Sequence, residues 1–291
     1  MRRLICAVVV IAAVELQAGS LQPAELEEVL QRAGARVEQY FRRAQSIVCR
    51  EVVNIQPLTA LWANDGMSRT VESELRLSWE PAADGTPSPE AQMLRRLLKV
   101  NGGPPRKDDW NNCTAPEQQA QEPQALSLLL PAQRADYQFA LAGRTLLDRR
   151  AAILVDYRMR REPSVETRMV EGRDDCLSFN LEGGTRGRIW IDDETHHVLR
   201  LDQSLSGLVE IPLPREATRR ADGPASWTME RWDVSIRFRP VTFENPVETL
   251  VLPESLSSLR ITRGSGAPRL RTKTEYRNYQ RFLTSGKIVG N

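Results

Sequence analysis

The chain has 291 residues, 41% of them hydrophobic, and 40 basic against 38 acidic side chains leave a formal net charge of +2. That balance excludes a general polyanion binder, whose cations clearly outnumber its acids, so no nucleic-acid partner is expected. The aliphatic content suffices for a substantial core, and the length suits one large β domain as well as two small ones.

Residues 1–20 read as a signal peptide. Arg2 and Arg3 precede an apolar run at 4–14, and the small residues Ala18, Gly19 and Ser20 follow it. The run is too short for a lasting membrane anchor, and no later stretch is apolar enough to cross a bilayer. The mature chain, residues 21–291, is therefore expected to be exported, periplasmic or secreted, as one β-rich domain without a composition break. Export permits disulfides. Cys49, Cys113 and Cys176 remain after cleavage, so one intramolecular pair can form. Cys49 alternates within IVCREVVNI like a small core residue. Cys113 and Cys176 lie in polar, loop-like surroundings and are the favoured pair over the two other pairings.

Residues 23–44 form the principal helix. Pro23 and the acids Glu25, Glu27 and Glu28 suit its start, and Arg42 and Arg43 suit its end. Leu26, Val29, Leu30, Ala33, Val37, Tyr40 and Phe41 make one apolar stripe at helical spacing. Strands follow at 47–56 and 70–80, the latter with Leu75, Leu77 and Trp79 on one face and charges on the other. Residues 94–100 read equally as a strand or a helical turn. Residues 101–124 are rich in Gly, Pro, Asn, Asp and Gln and read as a long loop.

After a short apolar segment at 125–130, strands are expected at 137–141 and 151–161, where Val155 and Tyr157 face away from Asp156, Arg158 and Arg160. A loop around Cys176 leads to a hairpin at 183–205. Ile189 and Ile191 share one face of its first strand, and Leu199 and Leu201 share one face of its second. Strands at 208–213, 227–243, 247–252, 256–263 and 269–279 complete the chain. On the long one, Trp232, Val234, Ile236 and Phe238 line one side, and Arg231, Asp233, Arg237 and Arg239 the other.

Catalytic and metal-binding readings find little support. Asp192, Asp193, Glu194, His196 and His197 resemble a ligand cluster, but adjacent residues of an extended segment point to opposite faces, and the chain has only two histidines. A solvated hairpin turn accounts for them. No nucleophile elbow or phosphate-cradling glycine motif is present, so no cofactor, metal or catalytic residue is expected. Arg237, Arg239, Arg269, Arg271 and Lys273 alternate on neighbouring C-terminal strands as a candidate patch for an anionic partner. The alternative for them is a solvated outer face, cross-paired with Glu230, Asp233 and Glu275.

The segment GRIWIDDETHHVLRLDQSL at 187–205 resembles the strand, Trp-x-Asp, turn and strand hairpin of the LolA-like periplasmic lipoprotein-carrier superfamily, and AGRTLLDRRAAILVDYRM at 142–159 is similar to the strand pair before it. The tail from 241 to 282 also resembles uncharacterised exported bacterial proteins. The resemblance implies a mainly β fold with one N-terminal helix, a single large curved antiparallel sheet forming a half-open barrel packed on that helix. It further implies a non-enzymatic protein that shelters an apolar ligand or a lipoprotein acyl chain on Leu75, Leu77, Trp79, Val155, Tyr157, Ile189, Ile191, Leu199, Leu201, Val234, Ile236 and Phe238. The alternative is a protein–protein interaction or sensor module of the cell envelope, without a ligand cavity.

Overall fold

A computed structural model describes residues 23–43, 47–79, 91–110, 123–170, 173–214, 225–244, 247–264 and 269–281. The helix α1 spans Pro23–Arg43, with Glu25 in its first turn and Arg42 and Arg43 in its last, as the helix dipole favours. The strands that follow are β1 (Ile47–Leu58), β2 (Arg69–Trp79), β3 (Ala91–Val100), β4 (Tyr137–Leu147), β5 (Arg150–Met159), β6 (Ser164–Val170), β7 (Arg173–Glu182), β8 (Thr185–Asp192), β9 (Val198–Leu205), β10 (Val209–Pro212), β11 (Ser226–Glu244), β12 (Val247–Arg263) and β13 (Arg269–Arg281). Between β3 and β4 lie the short helices Lys107–Trp110 and Pro131–Arg134 and a 3-10 turn, Pro123–Leu129. The expected signal segment lies outside the described residues. No described helix is long and apolar enough to cross a membrane.

The strands build one eleven-stranded antiparallel sheet in the order β3-β2-β1-β13-β12-β11-β9-β8-β5-β4, with β10 beside β11. Its two ends do not meet, so the sheet is a half-open barrel, and α1 lies on its inner face. The first and last strands pair in the middle of the sheet, from Ile47 opposite Arg281 to Leu58 opposite Arg269. Strict alternation makes the inner face apolar: Ile47, Cys49, Leu75, Leu77, Ile153, Val155, Ile189, Ile191, Leu201, Ile236 and Phe238 form one buried cluster with the α1 residues Val29, Leu30, Ala33, Val37, Tyr40 and Phe41.

The structure decides two readings that the sequence left open and corrects two others. Residues 91–100 are a strand, because β2 pairs with them from Val71 opposite Val100 to Trp79 opposite Ala91. The segment around Cys176 is no loop: it is β7, paired with β6 in a separate hairpin. That hairpin lays Val165, Leu177, Phe179 and Leu181 on Leu205, Val209, Ile211 and Met229, and Phe179 meets Trp232 edge-on at 6.3 Å. Leu199 is the extra residue of a β-bulge, since Trp190 opposes Arg200 while Ile191 opposes Val198. Val198 thereby takes the core position that alternation assigned to Leu199. The apolar segment after residue 124 is the 3-10 turn, which places Leu126, Leu128 and Leu129, with Leu130, in the core under α1.

The hairpin turn at 193–197 is fastened by Asp192, which is 3% exposed. It accepts hydrogen bonds from the Thr195 amide (2.8 Å) and hydroxyl (2.7 Å) and pairs with Arg150 at 2.7 Å. Arg36 of α1 donates to the Thr195 carbonyl at 3.0 Å, which locks the turn to the helix. Burial alone would raise the Asp192 carboxyl, but the Thr195 bonds and Arg150 together hold it below the ordinary range. A depressed carboxyl contributes its stability above the unfolded pKa and loses it as pH falls through the folded value. Asp192→Asn is therefore expected to cost about 1.5–3 kcal/mol at neutral pH. Urea melts across acid pH should show the wild type converging on the variant as Asp192 protonates.

Candidate functional site

The residues picked for an apolar site come together almost completely. Leu75, Leu77, Val155, Tyr157, Ile189, Ile191, Leu201, Ile236 and Phe238 belong to one cluster, and Val234 packs against it partly buried. Leu199 is buried but stands outside that cluster, as the bulge dictates. Trp79 is the last residue of β2. Cys113 lies outside the described residues, and with it the expected Cys113–Cys176 bridge. Cys49 is free and buried, and burial, with Glu51 beside it, pushes its thiol up to about 12, so it behaves as a core residue and not as a nucleophile.

Leu126, Leu128, Leu129 and Leu130, at most 6% exposed, join the cluster formed by α1 and the sheet and pack against α1. The backbone of this segment comes unusually close to α1. A Cβ on Gly34 would stand 2.7 Å from the Leu129 carbonyl oxygen, so only glycine fits there. A mid-helix glycine destabilises a helix by about 1 kcal/mol relative to alanine, and here close approach of another chain segment explains it.

Deeper along the same face lies a polar pair that alternation alone does not flag. Arg95 of β3 donates to both carboxylate oxygens of Glu51 on β1, at 2.8 and 3.1 Å, and the two side chains are 5% and 2% exposed. Thr272, Thr274 and Ser73 are buried on this inner face as well. Farther down, Tyr157 lies flat over Gly187, where any Cβ would strike the Asp202 carbonyl and the Tyr157 ring. The Tyr157 hydroxyl donates to that carbonyl at 3.3 Å. Burial pushes the phenol well above its ordinary pKa and keeps it a neutral donor.

The opposite face carries an open trough of about 1200 Å³ across β4, β5, β8, β9, β11, β12 and β13. One wall is the cross-strand row Asp156, Arg188, Asp202, Ser235, Ser257 and Lys273. The other includes Gln138, Arg158, Arg186, Ser204 and Arg271, and the floor is the backbone of the Tyr157, Gly187, Gln203 and Val234 row between them. Each acid in the trough already has its own arginine. Arg188 holds Asp156 at 2.5 and 2.9 Å, Arg200 holds Asp202 at 2.7 and 2.6 Å, and Arg231 holds Asp233. Arg200 also lies 4.6 Å over the Trp190 ring, which uses that outward tryptophan as a platform.

The five cations of the expected patch do not act as one stripe. Arg237 pairs with Asp148 at 3.2 Å and Arg239 reaches Glu254 at 4.0 Å. Arg269 stands at the start of β13, while Arg271 and Lys273 line the trough. Glu230, Asp233 and Glu275, which the solvated alternative pairs with these cations, are held instead by Arg263, Arg231 and Arg277.

Two solved structures with which the chain shares similarity are a DUF1329 family protein from Desulfovibrio piger, at 10% identity over 89% of this chain and 93% of that one, with a TM-score of 0.41, and a LolA superfamily protein from Nitrosomonas europaea, at 10% identity over 90% and 97%, with a TM-score of 0.35. No protein-family model matches the chain, and no curated protein sequence does.

Removing one member of a buried ion pair leaves the other uncompensated, whereas removing both can be nearly neutral. Arg95→Met alone should therefore cost about 3–5 kcal/mol. The double variant Glu51→Leu/Arg95→Met should recover most of it in urea unfolding.

Proposed function

We propose that this chain is an exported, non-catalytic binding protein that shelters an apolar ligand or a lipoprotein acyl chain between α1 and the inner face of the sheet. The observation that carries the reading is how that space is closed. A single turn of leucines, and not a second layer of regular structure, packs against α1 and completes the cluster that helix and sheet share. Four leucine side chains present about as much aliphatic surface as one long acyl chain. At about 0.8 kcal/mol per buried methylene, exchanging one for the other is close to balanced. The turn's own hydrogen bonds are local, such as the Leu130 amide to the Ser127 carbonyl at 2.8 Å, so they survive its displacement.

In this reading Leu75, Leu77, Val155, Tyr157, Ile189, Ile191, Leu201, Ile236 and Phe238 form the wall that the ligand touches, and the turn serves as a surrogate when none is bound. Export follows from the reading of residues 1–20. The filled core also fits the second reading, an envelope interaction or sensor module that never opens.

A fluorescent fatty acid titrated into the purified chain separates the two. Leu126→Ala/Leu129→Ala empties part of the space, so it should bind the probe at least tenfold more tightly than the wild type. Native mass spectrometry should show one probe per chain. A folded double variant that takes up no probe would remove the sheltered-ligand reading and leave the interaction module.

A further inference from the structure

On the face opposite α1, Arg158 of β5 and Arg186 of β8 are direct cross-strand partners. Their Cβ atoms are therefore about 5 Å apart, and like charges so placed repel. The neighbouring acids do not relieve them: Asp156 is held by Arg188, Asp202 by Arg200 and Glu182 by Arg161 at 2.9 Å. Among the described residues neither Arg158 nor Arg186 has a carboxylate within ion-pair distance. Both line the trough, whose described lining carries six cations against three carboxylates, and all three carboxylates are engaged. Gln138 flanks the pair on the β4 side and Ser204 on the β9 side, each in register with it.

We propose that the Arg158–Arg186 pair is a binding site for a dianionic phosphate group. Two guanidinium forks side by side offer more donors than one carboxylate accepts, whereas a tetrahedral phosphate accepts from both and neutralises both charges. The Gln138 amide and the Ser204 hydroxyl complete the set of donors. Beyond them the trough runs past the hydroxyls of Ser235 and Ser257 to Arg271 and Lys273 on β13. That is four strand spacings from Arg186, or about 19 Å. Such a lining suits a hydroxyl-rich phosphate ester lying across the strands. The site is separate from the apolar space under α1, so it stands or falls independently of that reading.

The test is a titration of the full chain with inorganic phosphate and, separately, glucose 6-phosphate at constant ionic strength, followed by phosphorus NMR and by thermal melting. The wild type should bind both saturably and melt at a higher temperature with either. Arg158→Gln and Arg186→Gln should each weaken binding at least tenfold, while Arg161→Gln, which removes a paired arginine nearby, should change it less than twofold. Without ligand the first two variants should melt no lower than the wild type, because each relieves a like-charge contact. Absence of saturable binding, equal binding by all three variants, or the same melting shift with chloride would overturn the proposal. So would loss of binding to phosphatidylglycerol vesicles in both variants when neither soluble phosphate binds, which would assign the pair to a membrane surface instead.

Discussion

One 21-residue helix has to keep water from one whole side of a sheet path of ten strands. A helix of that length reaches about 31 Å, whereas ten strands laid flat would extend some 45 Å across their hydrogen-bonding direction. The mismatch leaves two remedies, and the chain uses both. The sheet curls into a half-open barrel around α1, and shorter pieces cover what the helix cannot. The leucine turn packs against the helix and extends its apolar cluster, and the β6–β7 hairpin caps the lower end of β9, β10 and β11. The backbone accommodates these pieces at two glycines, Gly34 for the turn and Gly187 for Tyr157.

The same constraint explains where polar groups are tolerated on the inner face. Where α1 and the leucines pack, that face is aliphatic and aromatic. Glu51 and Arg95 lie farther along the strands, buried yet fully engaged with each other through two charge-assisted bonds. A buried pair of this kind contributes little net stability compared with a well-packed apolar pair. What it does fix is register: a one-residue slip of β3 against β2 would turn Arg95 away from Glu51 and leave both charges unmatched.

What the sequence made legible follows the physics of periodicity. The α1 stripe and the alternation of β2, β5, β8 and β11 depend only on which residues water excludes, and these were readable to within a residue or two. The exceptions are local events that periodicity does not encode. Leu199 left its face because a bulge depends on pairing with a partner strand. The β6–β7 hairpin hid because its charged residues, Glu166, Arg168 and Glu182, are exposed, and its apolar set packs on a satellite cluster away from the main core. Glu51 and Arg95 are 44 positions apart, and nothing within either strand announces the other. Gly34 reads as an imperfection in a good helix until the Leu129 carbonyl is placed against it. The candidate patch of five C-terminal cations was blind to pairing, because Asp148 and Glu254 come from other elements or turns.

The two sides of the sheet are less independent than their chemistry suggests. The backbone row through Tyr157, Gly187, Gln203 and Val234 is the floor of the polar trough, and Tyr157 on that row is also part of the apolar cluster that contains the leucine turn. Arg158 and Asp156 flank Tyr157 in sequence and therefore project to the trough while Tyr157 projects to the core. Arg186 and Arg188 stand in the same relation to Gly187. The Tyr157 hydroxyl holds the Asp202 carbonyl, so the ring, the glycine beneath it and three adjacent strands form one stiff panel. Gly187 is thus the position at which the packing of the inner face and the register of the outer face meet, because no second layer lies between them.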